Sequence, residues 1–361
     1  MIILKIKSDI FVDVYLFGLV ILKCFGMDST DSIYTKSTVI FSVLLLFFCL
    51  MNKWNKQKFI CSMAMIAFAI CSTIMSHRVT VLMTFISIIA IMQCNQKMET
   101  IKRVALIWMT VASFRMLLAY LGIIDRQQQM LYEVRNAGHI AYGFGFGNKN
   151  QFGIAIVIVL LSVIYIFYDK IKFLYLVIIA GIGLYLSYMY AQCTTAMLLV
   201  LFTLLIYEIS KYAEKIFYVI GKLVIPGCVF FSFITAIFYN KVSIFNYINS
   251  LSTGRIGLAN AFLKKYPISL LGADIQIGSA ALDNGYVLLY CTTGIVISMF
   301  FIYVYQKTMA WMCERKMKKE VLITIVFAIL GISEGGFLNP FMNYSILFIG
   351  LYLSQKLGQS S

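Results

Sequence analysis

The sequence predicts an all-α, polytopic integral membrane protein, and its composition is the first observation that does so. Of the 361 residues, 61% are hydrophobic and only 12% are charged, and the mean hydropathy is +0.88. A soluble domain has roughly 25% charged residues, so no soluble core of this length takes up so much apolar surface. We therefore expect a single transmembrane domain over residues 1–361.

The second observation is a series of apolar runs. A bilayer core of about 30 Å needs about 20 helical residues, and several runs here are shorter, so their boundaries are soft. We predict about twelve transmembrane helices, at residues 10–25, 38–51, 59–76, 79–93, 104–123, 151–168, 171–190, 194–208, 217–239, 284–305, 321–338 and 342–354.

The third observation is the placement of positive charge. With both termini assigned to the cytoplasm, the inner loops hold 19 of the 30 Lys and Arg residues and the outer loops hold 10. Cytoplasmic loops are enriched in these residues, so the excess favours this orientation. It places the two long loops, at about 124–150 and 240–283, on the outer face of a cytoplasmic membrane.

The second long loop contains a predicted helix. Ser252 or Thr253 is a suitable N-cap for a helix running to about Tyr266, and Pro267 follows its end. Arg255 then lies in the first turn, where free backbone N–H groups favour an anion. We expect a half-buried helix beside the membrane.

Two arginines, Arg135 and Arg255, are the first candidates for chemistry. A guanidinium stays charged, and its planar fork of donors matches phosphate. Two such groups on one side of the membrane predict a site for an anion with an apolar tail. The alternative is that both are solvated loop charges.

A glycine-rich stretch, residues 143–147, resembles a phosphate-binding loop. The Gly-Lys-Ser/Thr of a P-loop and the preceding strand of a dinucleotide fold are both missing from the sequence. A tight turn with aromatic residues, entering the helix at 151, is the favoured interpretation. The glycines still allow a close approach of backbone to a ligand, and Asn148 and Asn150 add neutral donors.

Two carboxylates stand out near the C-terminal third. Asp283 begins the sequence Asp-Asn-Gly-Tyr, where it is either a base or sugar ligand, or simply part of a helix cap. Glu334 lies about 14 residues into a predicted helix, and an intramembrane carboxylate is a candidate functional residue. Asn339 and Asn343 follow it on one face.

The remaining polar residues and the cysteines carry weaker signals. Arg115 is expected to pair inside the bundle, with a partner that the sequence does not identify. His139 is a possible base, because its pKa lies near neutral pH, or it is an exposed loop residue. The nine Cys residues are interpreted as small buried hydrophobic groups, and no metal site is predicted.

Together these residues resemble the Wzy-type polysaccharide polymerases of the O-antigen polymerase/ligase superfamily. The resemblance covers the whole topology loosely and is specific in four short places. They are Arg135 with 142–153, 253–255 with Pro267 and Gly272, 283–286, and Glu334 with Asn339-Pro340 and Asn343.

The resemblance implies an inverting, metal-independent glycosyltransferase with a helical bundle of the GT-C type. Such enzymes transfer a growing glycan from undecaprenyl pyrophosphate to the non-reducing end of a lipid-linked repeat unit, in the synthesis of O-antigen or capsule. They need no cofactor or nucleic acid, and a flippase and a chain-length regulator of the same pathway are the expected partners, besides the bilayer.

The resemblance also implies roles for individual residues. Arg135 and Arg255 would bind the pyrophosphate and stabilise its departing charge. Asp283, then Glu334, or else His139, would deprotonate the acceptor hydroxyl. The expected substrate contacts are His139, Tyr142, Asn148, Asn150, Asn284, Tyr286, Asn339 and Asn343.

The chain departs from the family in two places. Residues 145–150 lack the His-Pro that often follows Gly-Phe-Gly, which puts any role of that His in doubt. Asp283 stands where the related ligases have a His, so a polymerase is favoured over a ligase. The alternatives are a lipid-linked oligosaccharide flippase, a ligase-like glycan transferase, and a non-enzymatic membrane subunit.

Overall fold

The structure is a computed structural model, and it describes residues 2–27, 32–50, 54–130, 140–252, 254–266, 268–275 and 282–358. In these residues the chain is almost entirely helical, which confirms the predicted all-α class. The helices are α1 (Ile2–Cys24), α2 (Ser32–Leu50), α3 (Lys56–Ser76), α4 (Thr80–Gln93), α5 (Lys97–Ile107), α6 (Ser113–Tyr120), α7 (Lys149–Phe167), α8 (Phe173–Leu186), α9 (Thr194–Tyr212), α10 (Glu214–Ile237), α11 (Ser243–Leu251), α12 (Arg255–Lys265), α13 (Gly285–Glu314), α14 (Lys318–Ser333) and α15 (Leu347–Lys356).

The described helices support a membrane protein with fewer spans than expected. Six of them are long and apolar enough to cross a bilayer: α3, α7, α8 with the π-helical turn Ser187–Ala191, α9, α10 and α13. The predicted count of twelve is therefore not met. The runs at 321–338 and 342–354 show why, since α14 has 16 residues and α15 has 10. Ten residues rise only about 15 Å, half of a bilayer core.

The chain divides into two compact units. Unit 1 comprises Met1–Phe41 and Cys94–Phe217, and unit 2 comprises Ser42–Gln93 and Tyr218–Ser361. Two glycines allow tight helix packing, one inside each unit. In unit 1, a Cβ on Gly153 of α7 would lie 2.9 Å from the Cβ of Cys193, so only glycine admits α9 this closely. In unit 2, Gly350 of α15 approaches the carbonyl oxygen of Ile88 in α4 in the same way.

The loop predicted at 124–150 is a short hairpin followed by the glycine-rich stretch. Strand β1 (Gln128–Met130) pairs antiparallel with β2 (Ile140–Tyr142). Helix α7 begins at Lys149, two residues before the predicted start, because the side chain of Asn148 accepts a hydrogen bond from the backbone N–H of Gln151. This confirms that the stretch is an entry into a helix.

The helix predicted at 252–266 is present as α12, preceded by the shorter α11. Its N-cap is Gly254, with φ of 87°, and this residue makes no side-chain cap bond. The cap predicted from Ser252 is therefore wrong, and Thr253 lies outside the described residues. The side chain of Asn249 in α11 accepts instead from the N–H of Gly257, so the preceding helix caps α12.

Candidate functional site

Three of the four predicted catalytic residues meet in unit 2. Arg255 is the first residue of α12, Asp283 precedes the N-cap of α13, and Glu334 directly follows α14. Arg255 and Glu334 are 79 positions apart in the chain. Three helix ends thus bring the three side chains together, and we call them the Arg255 cluster.

The guanidinium of Arg255 lies between the two carboxylates. Its Nε is 3.5 Å from Oδ2 of Asp283, and its Nη1 is 3.5 Å from Oε1 of Glu334. Nη1 also donates a hydrogen bond to the backbone carbonyl of Ser333. Contacts on two edges of a planar fork fix its orientation as well as its position.

Two glycines allow the helix ends to come this close. A Cβ on Gly285, at the start of α13, would lie 2.6 Å from the carbonyl oxygen of Glu334. A Cβ on Gly335 would lie 2.9 Å from the carbonyl oxygen of Leu282. Glu334 itself has extended backbone, with φ of −142° and ψ of 124°, so α14 ends at Ser333 and the predicted helix 321–338 is interrupted there. Any larger residue at these glycines would push Asp283 and Glu334 apart.

Burial decides the protonation of the two carboxyl groups, which lie outside the six candidate spans. Desolvation raises the pKa of Glu334 to about 8, opposed by Arg255 and reinforced by the charge of Asp283. Desolvation also raises the pKa of Asp283, again opposed by Arg255. One cation faces two carboxyl groups, so the cluster is neutral when one of them keeps its proton. A buried carboxyl that exchanges a proton near neutral pH is suited to acid–base chemistry.

The two carboxyl groups differ in access. The side chain of Asp283 is 29% exposed, whereas that of Glu334 is 10% exposed and that of Arg255 is 14% exposed. A hydroxyl group from outside therefore reaches Asp283 first. Glu334 is the deeper partner.

The residues that follow Asp283 have structural roles in this arrangement. The side chain of Asn284 is the N-cap of α13 and accepts from the N–H of Val287 at 3.0 Å. Tyr286 is fully buried, and its hydroxyl donates to the carbonyl of Ala328. The sequence left open whether this motif supplies a base or sugar ligand, or a helix cap. Asn284 provides the cap, and the Asp283 carboxylate contacts Arg255 instead.

The two asparagines after Glu334 organise the turn between α14 and α15. The side chain of Asn339 accepts from the N–H of Phe341. Asn343 is buried, donates to the carbonyl of Phe337 and accepts from the hydroxyl of Ser345. Both amides are thus engaged within the protein.

The glycine-rich stretch in unit 1 is held closed by two glutamines from the hairpin. The side chain of Gln127 accepts from the N–H of Gly147 at 2.8 Å, and that of Gln129 accepts from the N–H of Lys149 at 3.2 Å. Backbone N–H groups that would cradle a phosphate are therefore already taken. This supports the turn interpretation over the phosphate-binding one.

Arg115 is the residue whose partner the sequence did not reveal. Its Nε donates to the carbonyl of Gly145 at 3.0 Å, and its guanidinium stacks over the ring of Phe25 at 4.9 Å. Gly145 has φ of 84°, and a Cβ there would lie 2.6 Å from the guanidinium. An arginine in a helix and a glycine 30 positions later give no spacing signal, which is why the pair was missed.

The other predicted contacts in unit 1 are spread over the same loop. Tyr142 lies at the end of β2, with its ring 5.9 Å from that of Tyr190. Asn148 caps α7, and Asn150 lies in the first turn of that helix. Arg135 and His139 lie outside the described residues.

Comparisons with protein-family models, curated proteins and solved structures give no match to this chain. Among the residues that the structure describes, no group of three or more His, Cys, Asp or Glu side chains is placed to hold a metal ion. Within the described residues, the Arg255 cluster is the candidate site.

Proposed function

We propose that the protein is a polysaccharide polymerase, which transfers a growing glycan from undecaprenyl pyrophosphate to the non-reducing end of a lipid-linked repeat unit. The observation that carries this proposal is the Arg255 cluster. Arg255, Asp283 and Glu334 come from three separate sequence motifs, and each of the two carboxylates lies 3.5 Å from the guanidinium of Arg255. A single functional site would account for the convergence of residues from three motifs.

The cluster offers the base that glycosyl transfer needs. The acceptor hydroxyl gives its proton to the carboxylate of Asp283 while its oxygen forms a bond to the anomeric carbon of the donor sugar. The bond from that carbon to the pyrophosphate oxygen breaks, and its electron pair leaves with the lipid pyrophosphate. Glu334 lies on the other side of Arg255 and offers a second carboxyl group whose protonation changes near neutral pH.

The contacts of Arg255 refine its expected role. A guanidinium already placed between two carboxyl groups orients the base and stabilises its negative charge. These contacts engage Nε and Nη1 of the guanidinium. In this proposal Arg135 remains the residue that binds the departing pyrophosphate, with Arg255 chiefly positioning Asp283 and Glu334.

The proposal includes a location. The protein lies in a bacterial cytoplasmic membrane with both termini in the cytoplasm, as the distribution of Lys and Arg favours, and the loop 240–283 faces outward. The donor and acceptor are both anchored in the bilayer. Transfer therefore takes place at the outer membrane surface.

The test compares two aspartates of the same loop. Asp283→Asn keeps the size of the side chain but removes the base, while Asp274→Asn changes an exposed residue outside the cluster. Each variant is introduced into a strain that lacks the gene, and surface glycan is separated on a gel. We expect Asp283→Asn to yield single-repeat product and Asp274→Asn to restore the long ladder, at equal protein levels. A full ladder from Asp283→Asn would rule out the proposed base.

A further inference from the structure

Helix α13 is broken inside its apolar run. Gly294 has φ of 77° and ψ of 170°, far from helical values, so residues 285–293 and 295–314 are two helical pieces. No charged residue occurs from 285 to 306, a length of about 33 Å at 1.5 Å per residue. The break therefore lies roughly 14 Å along a segment that spans the bilayer, well inside the hydrocarbon region.

A segment of the preceding loop fills this break. The N–H of Ile295 donates to the carbonyl of Ser269 at 2.9 Å, and the N–H of Val296 donates to the carbonyl of Leu270 at 3.2 Å. A break at Gly294 frees these N–H groups from their usual partners one turn earlier. Unsatisfied backbone groups in hydrocarbon cost several kcal/mol each, so the loop supplies what the helix lacks.

The chain enters and leaves alongside α13. The carbonyl of Tyr266 lies 3.8 Å from the thiol sulfur of Cys291, one turn nearer the start of the helix than the Ser269 contact. Further on, Ile275 packs in the buried cluster that contains Leu282 and Val287. The chain thus descends from Cys291 to the break and returns to the level of Val287.

Two glycines make the close fit possible. A Cβ on Gly272 would overlap the carbonyl oxygen of Thr292, and one on Gly294 would overlap the backbone nitrogen of Gly272. Gly272 has φ of 101°, and its N–H donates to the hydroxyl of Ser269 at 2.8 Å. The segment is therefore shaped internally to fit the break.

The outward side of the segment is apolar. Leu270 is 69% exposed, Ile268 and Leu271 are also exposed, and so are Val296 and Met299 on α13. Three exposed apolar side chains within four residues are unfavourable in water but suit the acyl chains of a bilayer.

We propose that residues 268–272 form a re-entrant segment that inserts into the hydrocarbon core of the membrane and completes α13 at its break. The bilayer is the partner of its exposed leucines. The insertion also holds the half-helix 285–293 in place, and Asp283 lies two residues before that half-helix. The proposal does not depend on glycosyl transfer, because both of its tests are physical measurements.

The first test measures depth in the membrane. Leu270→Cys and Lys264→Cys are each labelled with a nitroxide and reconstituted in vesicles of phosphatidylcholine and phosphatidylglycerol, with Cys71, an exposed cysteine, replaced by Ala in both. The signal of the chain without a new cysteine is subtracted. We expect the label at 270 to collide several-fold more often with oxygen than with a water-soluble nickel chelate, and the label on exposed Lys264 to show the reverse. Equal behaviour at both positions would overturn the insertion.

The second test measures the fit between segment and helix. Gly272→Ala should raise hydrogen exchange at the amides of Ile295 and Val296 by about tenfold, because the methyl group expels the segment. Gly122→Ala is the control for positive φ, since Gly122 has φ of 76° and open space around it, and should leave these amides unchanged. Unchanged exchange in Gly272→Ala contradicts the proposal.

A milder variant keeps the second test decisive if Gly272→Ala does not fold. Ser269→Ala removes only the hydroxyl that accepts from Gly272. It should increase exchange at Ile295 and Val296 without a steric clash.

Discussion

The buried carboxyl group of Glu334 should make the protein less stable as pH rises, and Glu334→Gln should remove this effect. The folded protein holds the Glu334 proton up to a pKa of about 8, whereas the ordinary value in the unfolded chain is 4.5. Between these values the folded state binds more protons than the unfolded state. The extra stability is thus complete below about pH 4.5 and is lost as pH rises to about 8.

The size of the effect follows from proton linkage. One extra proton bound by the folded state changes the free energy of unfolding by about 1.4 kcal/mol per pH unit. From pH 5.5 to 7.5, Glu334 therefore contributes a loss of up to about 3 kcal/mol. For a chain of this size that corresponds to a fall on the order of 5 °C in melting temperature.

The assay is thermal unfolding in detergent, followed by circular dichroism at pH 5.5 and at pH 7.5. Glu334→Gln keeps the shape of the side chain without its ionisation, so the difference between wild type and variant isolates Glu334 from other groups. Glu314→Gln, which changes an exposed residue of the same unit, should behave like wild type. If wild type and Glu334→Gln lose stability equally between the two pH values, the raised pKa is wrong.

Three further predictions concern contacts in the two units. Arg255→Ala leaves the buried Glu334 and the partly buried Asp283 without their cation, so its melting temperature should fall more at pH 7.5 than at pH 5.5, and an equal fall would show that the charge contacts contribute little. Gly145→Ala should destabilise the protein by about 1–3 kcal/mol, because its Cβ meets a guanidinium, whereas Gly122→Ala has open space and costs less; equal losses in chemical denaturation would contradict this. Gln127→Ala should speed hydrogen exchange at the amide of Gly147, and an unchanged rate would mean that the side chain does not close the turn.

The sequence predicted the helices and the site to different extents. Apolar runs placed a helix at nearly every predicted position, because a run of hydrophobic residues reports directly on burial or contact with lipid. Helix ends were less accurate: a cap such as Asn148 moved the start of α7 by two residues, and Glu334 lies after α14 rather than within it. Span counts depend on those ends, which is why twelve was too many.

The sequence allowed candidate site residues to be chosen by their chemistry, but it did not predict which of them would be in contact. Asp283 and Glu334 were conspicuous because carboxylates are rare in so apolar a chain, and Arg255 because it starts a predicted helix. Their contacts depend on Gly285 and Gly335, whose role is visible only when the opposing backbone is known. The sequence could not identify the partner of Arg115 for a similar reason, because that partner is a backbone carbonyl and every residue has one.

Hydropathy does not predict the break in α13. Residues 291–296 read Cys-Thr-Thr-Gly-Ile-Val, an uncharged stretch with one glycine, and hydropathy does not indicate a break there. In the sequence, Pro267 and Gly272 predict only the end of a helix, so residues 268–272 carry no sign of an insertion. Each segment is unfavourable alone: the helix has two N–H groups without partners, and the loop exposes Leu270. Pairing gives the two N–H groups their acceptors, and the proposed insertion places Leu270 among lipid chains, so one arrangement meets both needs, which neither local sequence encodes separately.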